Sequence, residues 1–290
     1  MTGNIVQIQR FSTQDGPGIR TTIFFKGCNL RCAWCHNPET IDPKPSLGFF
    51  PDRCVGCGLC SQACPENAIG PHRQSFSPEK CRCCGICVQT CPENALSLFG
   101  EKKTVGELMA LLLRDRRYFD NSGGGVTASG GEPMLQWEFI RELFAACRQN
   151  GISTALDTAG NVPFAHYEAL LPLTDLFLFD MKIYDDAKHR EYTGVGNARI
   201  QQNLKQLLDR GAAVEIRIPV LAGVNDSPED MKKTAVLLGN APKKVKLLPY
   251  HTLGLEKHLI VGQNNTRKFQ TPEKEHLQEL AKLFACPVEI

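Results

Sequence analysis

The chain has no block of like charge, no long apolar stretch and almost no cysteine in its final two thirds. Each absence closes a class of function. Lysine and arginine number 33 against 31 aspartates and glutamates, leaving a net charge of +2. There is no basic patch to follow a nucleic-acid backbone or an anionic membrane surface, so neither is expected as a partner. No segment approaches the roughly 20 apolar residues of a membrane helix. The N-terminal stretch from Met1 to Arg10 lacks an apolar run long enough for a secretory signal, which points to the cytoplasm. Beyond residue 100 the cysteines are Cys147 and Cys286 alone, and these read as small buried hydrophobes. A secreted disulfide scaffold would be shorter and cysteine-rich throughout.

What the sequence does have is concentrated. Twelve of its fourteen cysteines fall between Cys28 and Cys91, and in a reducing compartment such thiols bind metal more often than they pair. The first run is Cys28, Cys32 and Cys35, spaced C-x3-C-x2-C. Three thiolates hold three corners of a four-iron cluster and leave one iron open. A structural zinc would want a fourth protein ligand; His36 is nearby, but its adjacency to Cys35 makes awkward geometry. The next two runs, Cys54/Cys57/Cys60/Cys64-Pro65 and Cys81/Cys84/Cys87/Cys91-Pro92, repeat the C-x2-C-x2-C-x3-C-P pattern of two-cluster ferredoxins. They form an internal repeat, in which Cys64-Pro-Glu-Asn-Ala-Ile69 returns as Cys91-Pro-Glu-Asn-Ala-Leu96. A unit this small cannot build a sufficient core, so metal supplies its folding free energy. In such repeats the fourth cysteine of each run ligates the other run's cluster. The expected groups are therefore Cys54, Cys57, Cys60 with Cys91, and Cys81, Cys84, Cys87 with Cys64. Cys83, aligned with Gly56, is an extra that reads as a bystander able to compete with Cys81 or Cys84.

After Phe99 the texture changes to alternating strand and helix signals. Strands are expected at Arg20–Lys26, Gly125–Ser129, Ile152–Asp157, Asp175–Met181, Val214–Val220 and Val245–Tyr250. Helical patterns lie at Val105–Arg116, Trp137–Gln149, Asn203–Leu208, Pro228–Leu238 and Glu273–Phe284. Six strands in this alternation predict an α/β fold with a parallel sheet, an open or partial (β/α)6 barrel. The repeat then forms an insert over residues 51–99, and residues 1–50 and 100–290 make the barrel. The triple glycine Gly123-Gly124-Gly125 reads as a flexible connection, since no Lys-Ser/Thr follows to make a phosphate loop.

Parallel barrels gather their chemistry at strand C-termini, and here those ends are chemically rich: Cys28, the turn Ser129-Gly130-Gly131-Glu132-Pro133, Asp157-Thr158-Ala159-Gly160, Asp180-Met181-Lys182, Arg217 and Tyr250-His251.

Cys28/Cys32/Cys35, with aromatic Trp34 before the last thiol, resembles the radical S-adenosylmethionine (SAM) superfamily. The longer stretch Asp15-Gly-Pro-Gly-Ile-Arg20 through Cys28, continuing Cys35-His-Asn-Pro-Glu39, is similar to the glycyl-radical-enzyme activases, in the subgroup with a ferredoxin-like insert. The resemblance implies a radical SAM barrel and an oxidoreductase that cleaves SAM to methionine and a 5′-deoxyadenosyl radical, which takes a hydrogen from a glycine of a partner enzyme. It implies three [4Fe-4S] clusters, one coordinating SAM and two in the insert, reduced by a flavodoxin or ferredoxin, in a monomer of anaerobic metabolism. The Gly130-Gly131-Glu132 turn would receive the SAM amino group, and Trp34 and His36 would border adenine. Asp157, Thr158 and Asp180 match positions holding a monovalent cation near the SAM carboxylate. Arg217 would pair with that carboxylate or the ribose. Lys182 and His251 would lie near SAM or the bound glycine loop, and Asp15, Gly16 and Arg20 near the incoming peptide. Two rivals stand beside this reading: a radical SAM enzyme acting on another substrate, and an iron-sulfur electron carrier without turnover.

Overall fold

The computed structural model describes residues 1–71, 75–263 and 267–290. Eleven strands are found among them. β1 (Thr2–Ser12) and β2 (Arg20–Phe25) form an antiparallel pair, β3 (Ser46–Phe49) and β4 (Leu96–Phe99) a second, and β5 (Glu101–Thr104) lines the far side of β1. There follow β6 (Gly125–Gly130), β7 (Ser153–Thr158), β8 (Leu176–Asp180), β9 (Val214–Val220), β10 (Lys244–Pro249) and the two-residue β11 (Val288–Glu289). The main sheet runs β11-β10-β9-β8-β7-β6-β2-β1-β5. From β2 to β11 every neighbour is parallel. The six expected strands are thus present in the expected order, and β1, β5 and β11 extend them. The sheet does not close, because β11 and β5 are its two edges.

Helices return between the parallel strands and bury one face against the sheet. The helix Val105–Arg114 opens with a reciprocal cap: Glu107 N donates to Thr104 Oγ1, and Thr104 N donates to Glu107 Oε2. Pro228–Leu238 begins behind Ser227, whose hydroxyl accepts from Asp230 N, with proline at the first helical position. Leu143, Phe144, Leu204, Leu207, Ile216 and Leu247 are all buried in the core these helices share with the sheet. At about 25 cal/mol per Å2, burial of each such side chain contributes about 2 kcal/mol toward holding the strand ends in place. Cys147 and Cys286 belong to the same core, as expected. The helix expected at Asn203–Leu208 extends over Ala198–Asp209. The triple glycine is not a flexible link: a Cβ on Gly124 would strike the Ile19 carbonyl, and one on Gly125 that of Ser153. Gly123 caps the helix Arg116–Ser122 at φ 67°, and Gly125 opens β6.

The cysteine-rich repeat leaves the main sheet after β2, and the chain rejoins that sheet at β5. The β3–β4 pair, Ser46 opposite Phe99 and Phe49 opposite Leu96, brackets the excursion. It has its own small core of Leu47, Ile69, Cys87 and Leu96. The two halves repeat in backbone as in sequence: Gly58 and Gly85 (φ 75° and 78°) precede short helices, and Asn67 and Asn94 both sit at φ 50°. No helix among the described residues is long and apolar enough to cross a membrane.

Candidate functional site at the strand ends

β2 runs directly into the three-cysteine loop, and backbone bonds fix that loop from several sides. Gly27 N and Cys28 N donate to the carbonyls of Thr40 and Ile41 at 2.7 and 3.0 Å. Arg31 N and Ala33 N donate to those of Thr193 and Tyr192 at 2.7 and 2.8 Å. The turn after β6 crosses close by, with Gly131 N donating to Phe25 O and Glu132 N to Gly27 O. A Cβ on Gly130 would strike the Phe25 backbone, and one on Gly131 the Gly27 carbonyl. Both glycines are therefore needed for the chain's own backbone crossing.

Cys28, Cys32 and Cys35 line a cavity of about 470 Å3. Its wall is completed from the other strand ends by Gly130 and Gly131, by Asp157 and Thr158, by Asp180 and Lys182, by Arg217, and by His251. Contributions from β2, β6, β7, β8, β9 and β10 to one cavity mean that the sheet curls around it. Asp15, Trp34 and His36 also line it, as do Ser129 and Tyr250, which stand among the strand-end residues but were given no role, and Asn37, whose only signal was its place in the Cys35-His-Asn-Pro-Glu39 stretch.

Two of the expected site residues lie elsewhere. Glu132 is fully buried behind the wall. Its carboxylate accepts from Thr158 Oγ1 at 2.9 Å, Ala159 N at 2.8 Å and Met134 N at 3.1 Å. It ties the β6 turn to the β7 turn, and a backbone N–H supplies at Ala159 what that side chain lacks. Burial, against these three donors, pushes its carboxyl up to about 7. Arg20, expected near the incoming peptide, is 1% exposed at the start of β2. Its guanidinium donates to Thr127 Oγ1 at 2.7 Å, Val126 O at 2.6 Å and Ser153 O at 3.2 Å. It borders, with Gly16, a separate cavity. The reason is length: the first and last residues of a six-residue strand stand about 16 Å apart, so Arg20 and Cys28 cannot share one end.

The cavity's electrostatics are crowded. Lys182 Nζ donates to Asp180 Oδ2 at 2.7 Å. Burial works against its charge, but Asp180 and the Cys32 thiol outweigh that and hold its pKa far above the ordinary range. Arg217 Nη1 lies 3.6 Å from Asp157 Oδ2 and 3.9 Å from Asp15 Oδ1, while Nη2 donates to the Gln14 carbonyl at 2.7 Å. Burial first, then Asp180 and Asp15, pushes the Asp157 carboxyl up to about 6, with Arg217 and the Ser129 hydroxyl at 2.7 Å opposing. His36 stacks on His251 at 4.1 Å and donates from Nε2 to its carbonyl at 3.0 Å. Burial and that neighbour push the His36 imidazole down to about 4, so it is neutral at pH 7. Trp34 is 6% exposed and packs edge-on against Phe269. As free thiols, Cys28 and Cys35 are pushed up to about 12, chiefly by burial. Ligand formation there must displace protons.

The eight thiols of the repeat line two further cavities. One is lined by Cys54, Cys57, Cys60 and Cys91, the other by Cys81, Cys84, Cys87 and Cys64. The fourth cysteine of each run thus faces the other run's cavity, as the spacing predicts. Ala68 N donates to Cys64 Sγ and Ala95 N to Cys91 Sγ, both at 3.3 Å. Cys83 stands where the first half has Gly56, at φ 53° against 71°, and its thiol donates to the Pro45 carbonyl at 3.2 Å. Among the described residues no three Cys, His, Asp or Glu side chains gather as the ligands of a single ion do. The thiols line cavities instead.

Against known proteins, the family model described as the radical SAM superfamily matches residues 22–235. The chain is 38% identical over 301 aligned residues to the (2S)-3-sulfopropanediol dehydratase activating enzyme of Klebsiella oxytoca, covering 97% of this chain and 94% of that protein. It is 40% identical to the trans-4-hydroxy-L-proline dehydratase activating enzyme of Clostridioides difficile, covering 97% and 95%. Among solved structures, a domain of the pyruvate-formate lyase-activating enzyme of Bacteroides vulgatus superposes with a TM-score of 0.50 at 29% identity, over 58% of this chain and 98% of that one.

Proposed function

Since the chain belongs to the radical SAM superfamily, among its activating enzymes of glycyl radical enzymes, we propose that Cys28, Cys32 and Cys35 hold the SAM-binding cluster and that the surrounding cavity receives SAM and the partner's glycine loop. One observation carries this reading: the three thiols and residues from five other strand ends, with charged groups from three of those ends, line a single cavity. When bound, the reduced [4Fe-4S] cluster supplies the electron that cleaves SAM to methionine and the 5′-deoxyadenosyl radical, which takes hydrogen from a glycine of the partner.

The residues present suit that pair of ligands. Three thiols leave the fourth corner to a non-protein ligand. Lys182, held protonated beside the thiols, offsets their charge on deprotonation. Asp15, Asp157 and Asp180 stand in the cavity beside Lys182 and Arg217. The carboxylates of Asp157 and Asp180 offer hard oxygen ligands to a monovalent cation, and suit SAM itself, whose sulfonium and ammonium outnumber its carboxylate. Trp34 and neutral His36 offer flat apolar faces to adenine. Gly130 and Gly131 leave the wall without side chains where the amino end of SAM would lie. Thr158, fixed through Glu132, and His251, stacked on His36, shape the remaining wall. Asp15 approaches the glycine loop. Arg20 supports the β2 start and takes no part at the cavity.

Residues 51–99 we assign as a ferredoxin-like insert with two [4Fe-4S] clusters, on Cys54, Cys57, Cys60, Cys91 and on Cys64, Cys81, Cys84, Cys87. Reduced flavodoxin or ferredoxin is the donor class such clusters accept electrons from, and a reducing cytoplasm the compartment that preserves the thiols. The named relatives activate enzymes of different chemistry.

The test is electron paramagnetic resonance on the anaerobically reconstituted, reduced protein with SAM and purified glycyl radical enzymes. A carbon-centred doublet on one partner, absent with Cys28→Ala, is expected. Deoxyadenosine release without a partner radical would shift the reading to another substrate. Loaded clusters with no SAM cleavage would reduce the chain to an electron carrier.

A further inference from the structure

The two halves of the insert differ in the number of thiols they offer. One cavity of the repeat is lined by four cysteines, whereas the one with Cys64, Cys81, Cys84 and Cys87 is lined by a fifth, Cys83. Its Sγ lies 4.0 Å from Cys81 Sγ, and Cys83 N donates to that same sulfur at 3.4 Å.

The fold does not demand a cysteine there. Cys83 sits at φ 53°, in the left-handed conformation that penalises a residue carrying a Cβ. Gly56, at the same place in the first half (φ 71°), avoids that penalty, and a Cβ built on it would have nothing within 4 Å. Packing therefore selects no side chain at this point of the repeat. A strained position points to a use for the side chain it carries, and here the side chain is a thiol among thiols. Its one printed bond outside the thiol group, to the Pro45 carbonyl at 3.2 Å, comes from a weak donor and is easily given up.

Two sulfurs as close as those of Cys81 and Cys83 cannot serve different irons of one cube, whose corners point away from each other. They can serve one iron in turn. We propose that Cys83 is a reserve ligand for the corner held by Cys81. This cluster then survives the loss of Cys81, while its twin, with Gly56 in that place, does not survive the loss of Cys54. The inference rests on the two-cluster reading of the insert. The exchange is a ligand substitution: the bond from iron to the Cys83 sulfur forms as the one to Cys81 breaks. The proton leaving the Cys83 thiol passes to Cys81, and no electron moves.

The experiment is iron analysis and electron paramagnetic resonance on the full chain, reconstituted and reduced without oxygen. Cys81→Ala should keep about twelve irons per chain and both insert signals, whereas Cys54→Ala should lose the four-iron signal of its half. Cys81→Ala/Cys83→Gly should lose the signal that Cys81→Ala keeps, and Cys83→Gly alone should lose none. Gly56→Cys carries the spare thiol across: added to Cys54→Ala, it should restore the lost signal. Equal loss in Cys81→Ala and the double variant, retention of the cluster in the double variant, or loss with Cys83→Gly alone would each overturn the proposal. Should Cys81→Ala load neither insert cluster because the insert fails to fold, the transplant decides, and no recovery in Cys54→Ala/Gly56→Cys would overturn it. Absence of the insert signals from the unaltered chain would instead overturn the two-cluster reading, and iron analysis shows this before any variant is made.

Discussion

At the ends of the parallel strands, three half-buried thiols share their cavity with three carboxylates, an ammonium and a guanidinium. In the insert, the thiols sit mostly among apolar and glycine neighbours, Phe49, Val55, Gly56 and Leu96 in one cavity and Leu47, Ile69 and Gly85 in the other, with Glu93 in the first and Glu66 and Arg82 in the second. The first environment is arranged to bind a charged ligand and orient it. The second surrounds its thiols mainly with apolar groups, and its charged residues are few. The difference teaches that cysteine spacing alone separates the two chemistries only in part. The missing fourth thiol marks the reactive site, but the charges that make it useful arrive from Asp157, Asp180 and Arg217, which lie over 120 residues further along the chain.

Removing one thiol from each region is the sharpest way to break the contrast. Cys28→Ala should abolish SAM cleavage, a loss of several orders of magnitude, while iron falls from about twelve to about eight atoms per chain. Cys54→Ser and Cys91→Ser should each delete one and the same insert signal, and Cys64→Ser the other. Loss of one signal by both Cys54→Ser and Cys64→Ser would break the crossed grouping that the cavities support. Both predictions are checked by iron analysis and paramagnetic resonance.

Smaller effects concern the frame of each region. Glu132 has a folded-state pKa of about 7, raised by burial above its ordinary 4.5. Between those values the folded chain binds more protons than the unfolded one, so stability should fall as pH rises through this window, by on the order of 3 kcal/mol. Glu132→Gln, unable to ionise, should flatten that slope in thermal melts from pH 4.5 to 8. In the insert, Cys83 adopts the left-handed conformation that glycine occupies in the other half. Cys83→Gly should keep both clusters and raise stability by up to about 1 kcal/mol, read from denaturant unfolding.

Much of this arrangement was legible in the chain. Val214–Val220, Trp137–Gln149 and Pro228–Leu238 occur with the expected bounds, because β-branched runs, amphipathic spacing and a Ser-Pro cap are local signals. β1 escaped notice since its residues are mostly polar or half-exposed, and β5, Glu-Lys-Lys-Thr, is a charged edge strand with no apolar face to read. The site residues at strand ends were readable from position. Arg20 and Glu132 were misplaced because a motif says that residues are neighbours in sequence, not which end of a strand or which side of a wall they occupy. The helix Gly254–Ile260 could not be foreseen as a clamp. Its Lys257 bonds Asn37 and Glu39, and its His258 bonds the Cys35 carbonyl, across more than 200 residues.

The central claim is that the barrel thiols leave a corner open and the insert thiols do not. The most direct test is to record the paramagnetic resonance of the fully reduced protein with and without SAM. Three signals are expected, and SAM should alter only the one that Cys28→Ala removes. A SAM-dependent change in either insert signal, or none in the barrel signal, would contradict the account.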